Sequence, residues 1–341
     1  MTDYQLRELA VFRRFVEHLE QQNIVEHNWP AAATASFEDI WSPGWAARLW
    51  DGVVATHMSA QGFTTARLPG KNKPNVDFVL TKKNLRLYAE CVVPEGGQEG
   101  LPFTVHSFRD EDYKPVSIEA DGQTWTFNQA EHHSTVADDA DRIGLRVSNS
   151  LYGDKNGKGG KNKQIEDCFE AGNPPGPAIV FLNSTYISPL RPISKIGALF
   201  PHSPVVTSLF GADGVPTFRN LSTGEVVEQV HRQSPGIKKG DAVDLVNRNR
   251  FNDGTLAHIS AVVHVAQRSP IDMVLSNCNS EYSFAGDFSE SAELILNPTA
   301  NYPLTDGIVD MLRCHVVVKR TTAGDGLEVT RRSDTQRASD L

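Results

Sequence analysis

The sequence predicts an α/β fold, a mixed central sheet flanked by helices. Three observations predict it. A helical pattern opens the chain. Two consecutive β-type runs follow between 75 and 93, joined by a short Lys82-Lys83-Asn84 turn. Farther on, short apolar runs alternate with segments of helical character.

Thr2 and Gln5 form a capping-box pair, each side chain suited to satisfy a backbone donor of the first turn. Leu6, Leu9, Phe12, Phe15, Val16 and Leu19 then recur at helical spacing, so a helix is expected from Thr2 to about Gln22. An Ala-, Ser- and Pro-rich linker follows to residue 40. Ser42-Pro43 reads as a cap and first-turn proline, opening a second helix through Trp45, Leu49, Val53 and Val54 to Gly62. A strand from Phe63 to Leu68 and a Gly/Lys/Pro loop lead into the hairpin. Gln123 to Phe127 reads as a strand. Val136 to Leu151 reads as a helix, opened by Asp138, Asp139 and Asp141. A second helical segment runs from Lys161 to Glu170, and Pro177 to Leu182 is a buried strand.

Between 186 and 255 an insertion is expected, with helices near Ile193 to Leu199 and Val205 to Gly211 and a hairpin from Pro216 to Val230. Strands are expected at His258 to Ala266, Ile271 to Leu275 and Leu294 to Leu296. Cys314 to Lys319 pairs with Leu327 to Arg331 across a Gly-rich turn. The expected division is an N-terminal helix and linker (1–40), an α/β core (41–310), a C-terminal hairpin (311–332) and a disordered tail (333–341).

Composition narrows the function. The chain of 341 residues is 39% hydrophobic and 22% charged, with no apolar run near the roughly 18–20 residues that span a bilayer. No secretory leader is evident at Met1-Thr2-Asp3-Tyr4, so the expectation is a cytoplasmic protein without membrane segments. Cys91, Cys168, Cys278 and Cys314 form no C-x-x-C pair, which argues against a zinc ribbon or disulfide framework. A net charge of −9 opposes whole-surface nucleic-acid binding. Any such contact would rest on the local patch of Lys155, Lys158, Lys161 and Lys163.

The most telling residues are Asp77 and Glu90, one acid on each hairpin strand. Glu90 lies in an otherwise apolar run, Tyr88-Ala89-Glu90-Cys91-Val92, and a buried carboxylate needs a cation, a hydrogen-bond network or solvent. Together the two acids could offer oxygen ligands to magnesium or manganese. Solvated strand ends or salt bridges are the alternative account.

Other candidates fare worse. Gly153 to Lys163 does not satisfy G-x-x-x-x-G-K-S/T. Glu131-His132-His133 fits helix-entry chemistry better than metal binding. Trp41, Trp45 and Trp50 fit core packing. No serine sits in a G-x-S-x-G context.

The order helix, strand, acidic hairpin, helix, apolar strand resembles the PD-(D/E)XK restriction-endonuclease-like superfamily, and more closely a group of uncharacterised bacterial proteins with that core. The likeness rests on Ala47-Arg48-Leu49-Trp50-Asp51, Asn75-Val76-Asp77-Phe78, Tyr88 to Val92, Asp141-Arg142-Ile143, Lys161-Asn162-Lys163-Gln164 and Pro177 to Val180. Ser208 to Gly211, His258 to Val263 and Asn297 to Ala300 extend it, so that it covers roughly residues 45–303. The resemblance implies Asp51, Asp77 and Glu90 as metal-site acids in a magnesium-dependent nuclease acting on DNA. Val76 stands where the pattern has proline. Val92 stands where it has lysine, a more serious departure. Some members of the superfamily carry that lysine on the neighbouring helix, so Lys161 or Lys163, with Gln164, would position phosphate or water. The alternative is a binding or assembly protein that keeps the fold without catalysis.

Overall fold

The computed structural model describes residues 2–22, 34–68, 75–94, 113–120, 123–130, 146–153, 159–184, 204–210, 217–219, 226–229, 236–239, 242–247, 250–265, 269–277, 292–320 and 327–331. Its helices are α1 (Asp3–Gln21), α2 (Phe37–Ile40), α3 (Pro43–Ala60), α4 (146–152), α5 (Lys161–Glu170), α6 (Pro204–Phe210), α7 (Pro270–Asn277) and α8 (Asp306–Met311). An eight-stranded mixed sheet is built from β1 (Thr64–Ala66), β2 (Phe78–Lys82), β3 (Leu85–Val92), β6 (Ala178–Asn183), β11 (Ala261–Val265), β12 (Ala292–Leu296), β13 (Val316–Arg320) and β14 (Leu327–Arg331), in that spatial order. Three two-stranded ladders lie outside it: β4 (Tyr113–Ala120) with β5 (Gln123–Ala130), β7 (Thr217–Arg219) with β8 (Val226–Gln229), and β9 (Gly236–Lys239) with β10 (Ala242–Asn247).

The mixed sheet flanked by helices is the fold class that the sequence predicts. β1, β2 and β3 run antiparallel in succession, β3 pairs parallel with β6, and β6 pairs parallel with β11. β12 then pairs antiparallel with β11 and parallel with β13. The C-terminal hairpin β13–β14 is the far edge of this same sheet.

Strand alternation divides the interior into two cores. On one face Phe78, Leu80, Leu87, Ala89, Ile179, Phe181, Val263 and Leu294 pack against α1, α3, α7 and α8. On the other, Tyr88, Val92, Val180, Leu182, Val262, Ile295 and Val316 pack against α4, α5 and α6. Sequence dictates the α1 face directly: Leu9, Phe12, Phe15, Val16 and Leu19 are all buried, and the Thr2/Gln5 capping box forms.

Strands β4, β9 and β10 and helix α8 are additions to the expected elements, and two further elements depart from expectation in kind or place. Ile271 to Leu275 is helical. Ser269 and Asp272 cap one another reciprocally, the Ser269 hydroxyl accepting from the Asp272 N–H at 3.1 Å while the Ser269 N–H donates to Asp272 Oδ2 at 3.3 Å. With Pro270 in the first turn, this capping box outweighs the β propensity of a short apolar run. The linker before residue 40 also holds a single-turn helix, α2, opened by the same device between Ser36 and Asp39. The helix expected from 136 is described only over 146–152. The helix near 193–199, the histidines at 132 and 133, Lys155, Lys158 and the tail lie outside the described residues.

Candidate functional site

Three elements and one loop residue bring the predicted acids together. Asp51 comes from α3. The preceding Trp50 is fully buried, and its indole Nε1 donates to the carbonyl of Phe181 in β6 at 2.9 Å, which fixes the helix against the sheet. Asp77 immediately precedes β2, opposite the end of β3, and its Oδ2 accepts the Cys91 backbone N–H at 2.7 Å. Glu90 and Cys91 are neighbours in β3 and point to opposite faces, Glu90 towards the α5 layer and Cys91 towards α3.

Lys161, first residue of α5, closes the cluster. Its Nζ donates to Glu90 Oε2 at 2.5 Å and lies 3.6 Å from Asp77 Oδ2. The lysine is aimed there by a close contact between backbones. A Cβ on Gly160 would stand 2.1 Å from the Tyr152 carbonyl carbon, so only glycine lets α4 come this near the start of α5. Tyr152 is itself held by Arg250, whose guanidinium stacks 3.7 Å from the ring centroid and donates to Ser148 Oγ at 3.1 Å.

The site carries more acid than base. Burial and the Asp77 charge push the Asp51 carboxyl up to about 8, only partly opposed by Arg67 and Lys161. Arg67 reaches Asp51 from the rim at 3.5 Å. Burial first, then Asp77, raises Glu90 well above the usual carboxylate range. Burial alone would lower Lys161, but Glu90 and Asp77 together hold its ammonium above the normal lysine value. Glu90 is 1% exposed, and its second oxygen, Oε1, has no hydrogen-bond partner. Such a group is costly to bury, and a cation among these carboxylates would satisfy it.

Sequence reasoning missed Cys91. One carboxylate oxygen each from Asp51 and Asp77, with the Cys91 Sγ, lie within 4.8 Å of one another. The sequence signal existed, a cysteine beside the key acid, but strand alternation sends it towards the opposite core from Glu90. Asp77 lies at the strand end and reaches both sides, so the alternation does not separate the groups.

Two predicted residues stand apart. Lys163 is turned along its own helix, 2.6 Å from Asp167 and 3.0 Å from Glu166, away from the cluster. Gln164 follows Lys161 by one turn, and its Oε1 is buried without a partner. No contact joins Gln164 to the acids among the described residues.

A second buried polar group was not anticipated. Ser184 Oγ lies 2.8 Å from His264 Nε2, and His264 Nδ1 lies 3.0 Å from Glu293 Oε2. The order serine, histidine, carboxylate matches a hydrolytic relay. All three side chains are fully buried, however, so no substrate reaches the hydroxyl as the chain is folded. The trio ties β6, β11 and β12 together across one row of the sheet.

Among the described residues no helix is long and apolar enough to cross a membrane. No protein-family model, curated protein or solved structure matches this chain.

Proposed function

We propose that this chain is a metal-dependent phosphodiesterase of the PD-(D/E)XK kind, acting on DNA. The observation that carries the reading is the acid-rich cluster of Asp51, Asp77 and Glu90 around a half-buried lysine, Lys161. The surrounding order supports it. Helix α3, the antiparallel trio β1–β2–β3, helix α5 and then β6 parallel to β3 follow the succession implied by the sequence resemblance.

In this reading Asp51 and Asp77 hold a magnesium or manganese ion, with Glu90 adding charge from behind. The ion would neutralise phosphate charge and make water acidic enough to attack. Lys161 takes the role left vacant by Val92. Its ammonium, fixed by Glu90, would stabilise charge developing on the phosphate, and removing such a donor typically costs about 10²–10³ in rate. Gln164, one turn along the same helix, would orient water or phosphate. Lys163, paired to its own helix, plays no part in the chemistry.

The test is cleavage of plasmid and single-stranded DNA with magnesium or manganese. Asp77→Ala, Glu90→Ala and Lys161→Ala should each abolish or sharply reduce it. Val92 shares the Glu90 face of β3, so K161A/V92K should recover part of what Lys161→Ala loses. Cleavage that persists unchanged in both Asp77→Ala and Glu90→Ala would end the reading.

Two observations favour a rival account. The short Lys161–Glu90 contact is an internal ion pair that can brace the fold without any ion, and the net charge of −9 disfavours nucleic acid. A non-catalytic binding or assembly protein then retains the fold. Calorimetry separates the two: magnesium or manganese binding that vanishes in Asp77→Asn supports the enzyme, and silence supports the scaffold.

A further inference from the structure

Cys91 has surroundings that packing does not explain. It lies 8% exposed on the α3 side of β3, where a small apolar residue would fill the space as well. Among the described residues the other buried thiols make ordinary contacts: Cys168 Sγ accepts from Asn173 Nδ2 at 3.4 Å, and Cys314 Sγ donates to the Leu312 carbonyl at 3.7 Å. Cys91 instead faces two carboxylates, one of which, that of Asp51, accepts a hydrogen bond from its thiol.

We propose that Cys91 Sγ is the third protein ligand of the ion held by Asp51 and Asp77, and that it makes the site select a thiophilic divalent transition metal over magnesium. The inference rests on reading the cluster as a metal centre. It does not depend on the reaction catalysed there.

Geometry supports it first. Protein ligands about 2.0–2.3 Å from a common ion stand roughly 3–4.5 Å from one another. The three donor atoms already lie within 4.8 Å, so small side-chain rotations suffice. A second feature points to a cation beside Asp77. Glu90 Oε1 is buried without a partner beside Asp77, while its other oxygen is committed to Lys161. Lysine neutralises one side of the acid group only.

Ligand chemistry then fixes the class of ion. Two carboxylates alone suit magnesium, calcium or manganese; sulfur adds affinity for zinc, cobalt or cadmium and almost none for magnesium. A set of two oxygens and one sulfur also leaves coordination positions for water or phosphate, as catalytic centres require.

Cobalt(II) is the probe, added to the full chain in buffer with a phosphine reductant and followed by absorbance and calorimetry. Wild type should show a thiolate-to-cobalt charge-transfer band in the near ultraviolet. Cys91→Ser should bind cobalt about tenfold or more weakly, lack the band, and lose much of the preference for cobalt over magnesium. Asp77→Asn should lose binding of both ions. Cobalt binding to wild type without the band, or a band that survives in Cys91→Ser, overturns the role of the thiol and leaves the carboxylate site standing. No binding of cobalt, magnesium or manganese overturns the metal centre itself. If Cys91→Ser does not fold, alkylation of wild type read by mass spectrometry decides: cobalt should shield Cys91 where magnesium does not, and equal labelling under both ions refutes the proposal.

Discussion

Asp51 shows how one residue links the site to stability. Its carboxyl titrates near 8 in the folded chain, against about 3.9 when unfolded. A folded pKa above the unfolded one means that the native state holds the proton more tightly. The contribution is therefore fully present below about pH 4 and is lost as pH rises towards 8. Metal-free wild type should lose stability to urea between pH 5 and pH 8, and Asp51→Asn should flatten that slope. A wild-type slope unchanged by the substitution would show that Asp51 is not the group responsible. At this scale the acids were legible from sequence, because Glu90 interrupts an apolar run and Asp77 precedes its hairpin partner. Lys161 was legible only as one of two lysines. Its neighbour Lys163 has three acids within reach on the same helix, a choice settled by side-chain geometry that spacing does not carry.

At the scale of elements, the Ser184–His264–Glu293 row explains why three polar residues are tolerated inside the sheet. His264 sits directly across from Glu293 in the β11–β12 register and from Leu182 in the β11–β6 register, with Ser184 two residues farther along the same face. Alternation thus stacks the three side chains without any loop. Replacing His264 by alanine removes both contacts at once and leaves a cavity. The expected cost is about 3–5 kcal/mol, against about 1 kcal/mol for Ser184→Ala, read from urea unfolding. Comparable small losses in both would mean that the row adds little to the sheet. None of this was visible in the sequence, since the partners are 80 and 29 residues apart. The helix at Pro270–Asn277 is the opposite case. Its Ser269-Pro270-Ile271-Asp272 opening was legible, and the apolar run behind it drew the reading towards a strand.

On the scale of the molecule, the candidate site lies where the two helical layers approach the same strand end. Asp51 and Cys91 belong to the α3 side, Glu90 and Lys161 to the α5 side, and Asp77 touches both. Such a site needs the whole sheet as a rigid partition, and the C-terminal hairpin is part of that partition. Val316 and Val318 lie in one core and Val317 in the other. Burial of a valine is worth about 1.5–3 kcal/mol, so losing three removes a large share of a typical stability of roughly 5–15 kcal/mol. Truncation after Leu312 would also bare the edge of β12, whose Leu294-Ile295-Leu296 run is apolar and ready to pair with another chain. The truncated chain should therefore aggregate or unfold without cooperativity, whereas Val318→Ala alone should unfold cooperatively with a loss of roughly 1–3 kcal/mol. Sequence suggested a hairpin at 311–332 standing apart from the core. If the truncated chain instead stays monomeric with an unchanged urea midpoint, that separation is right, and the two cores close without β13 and β14.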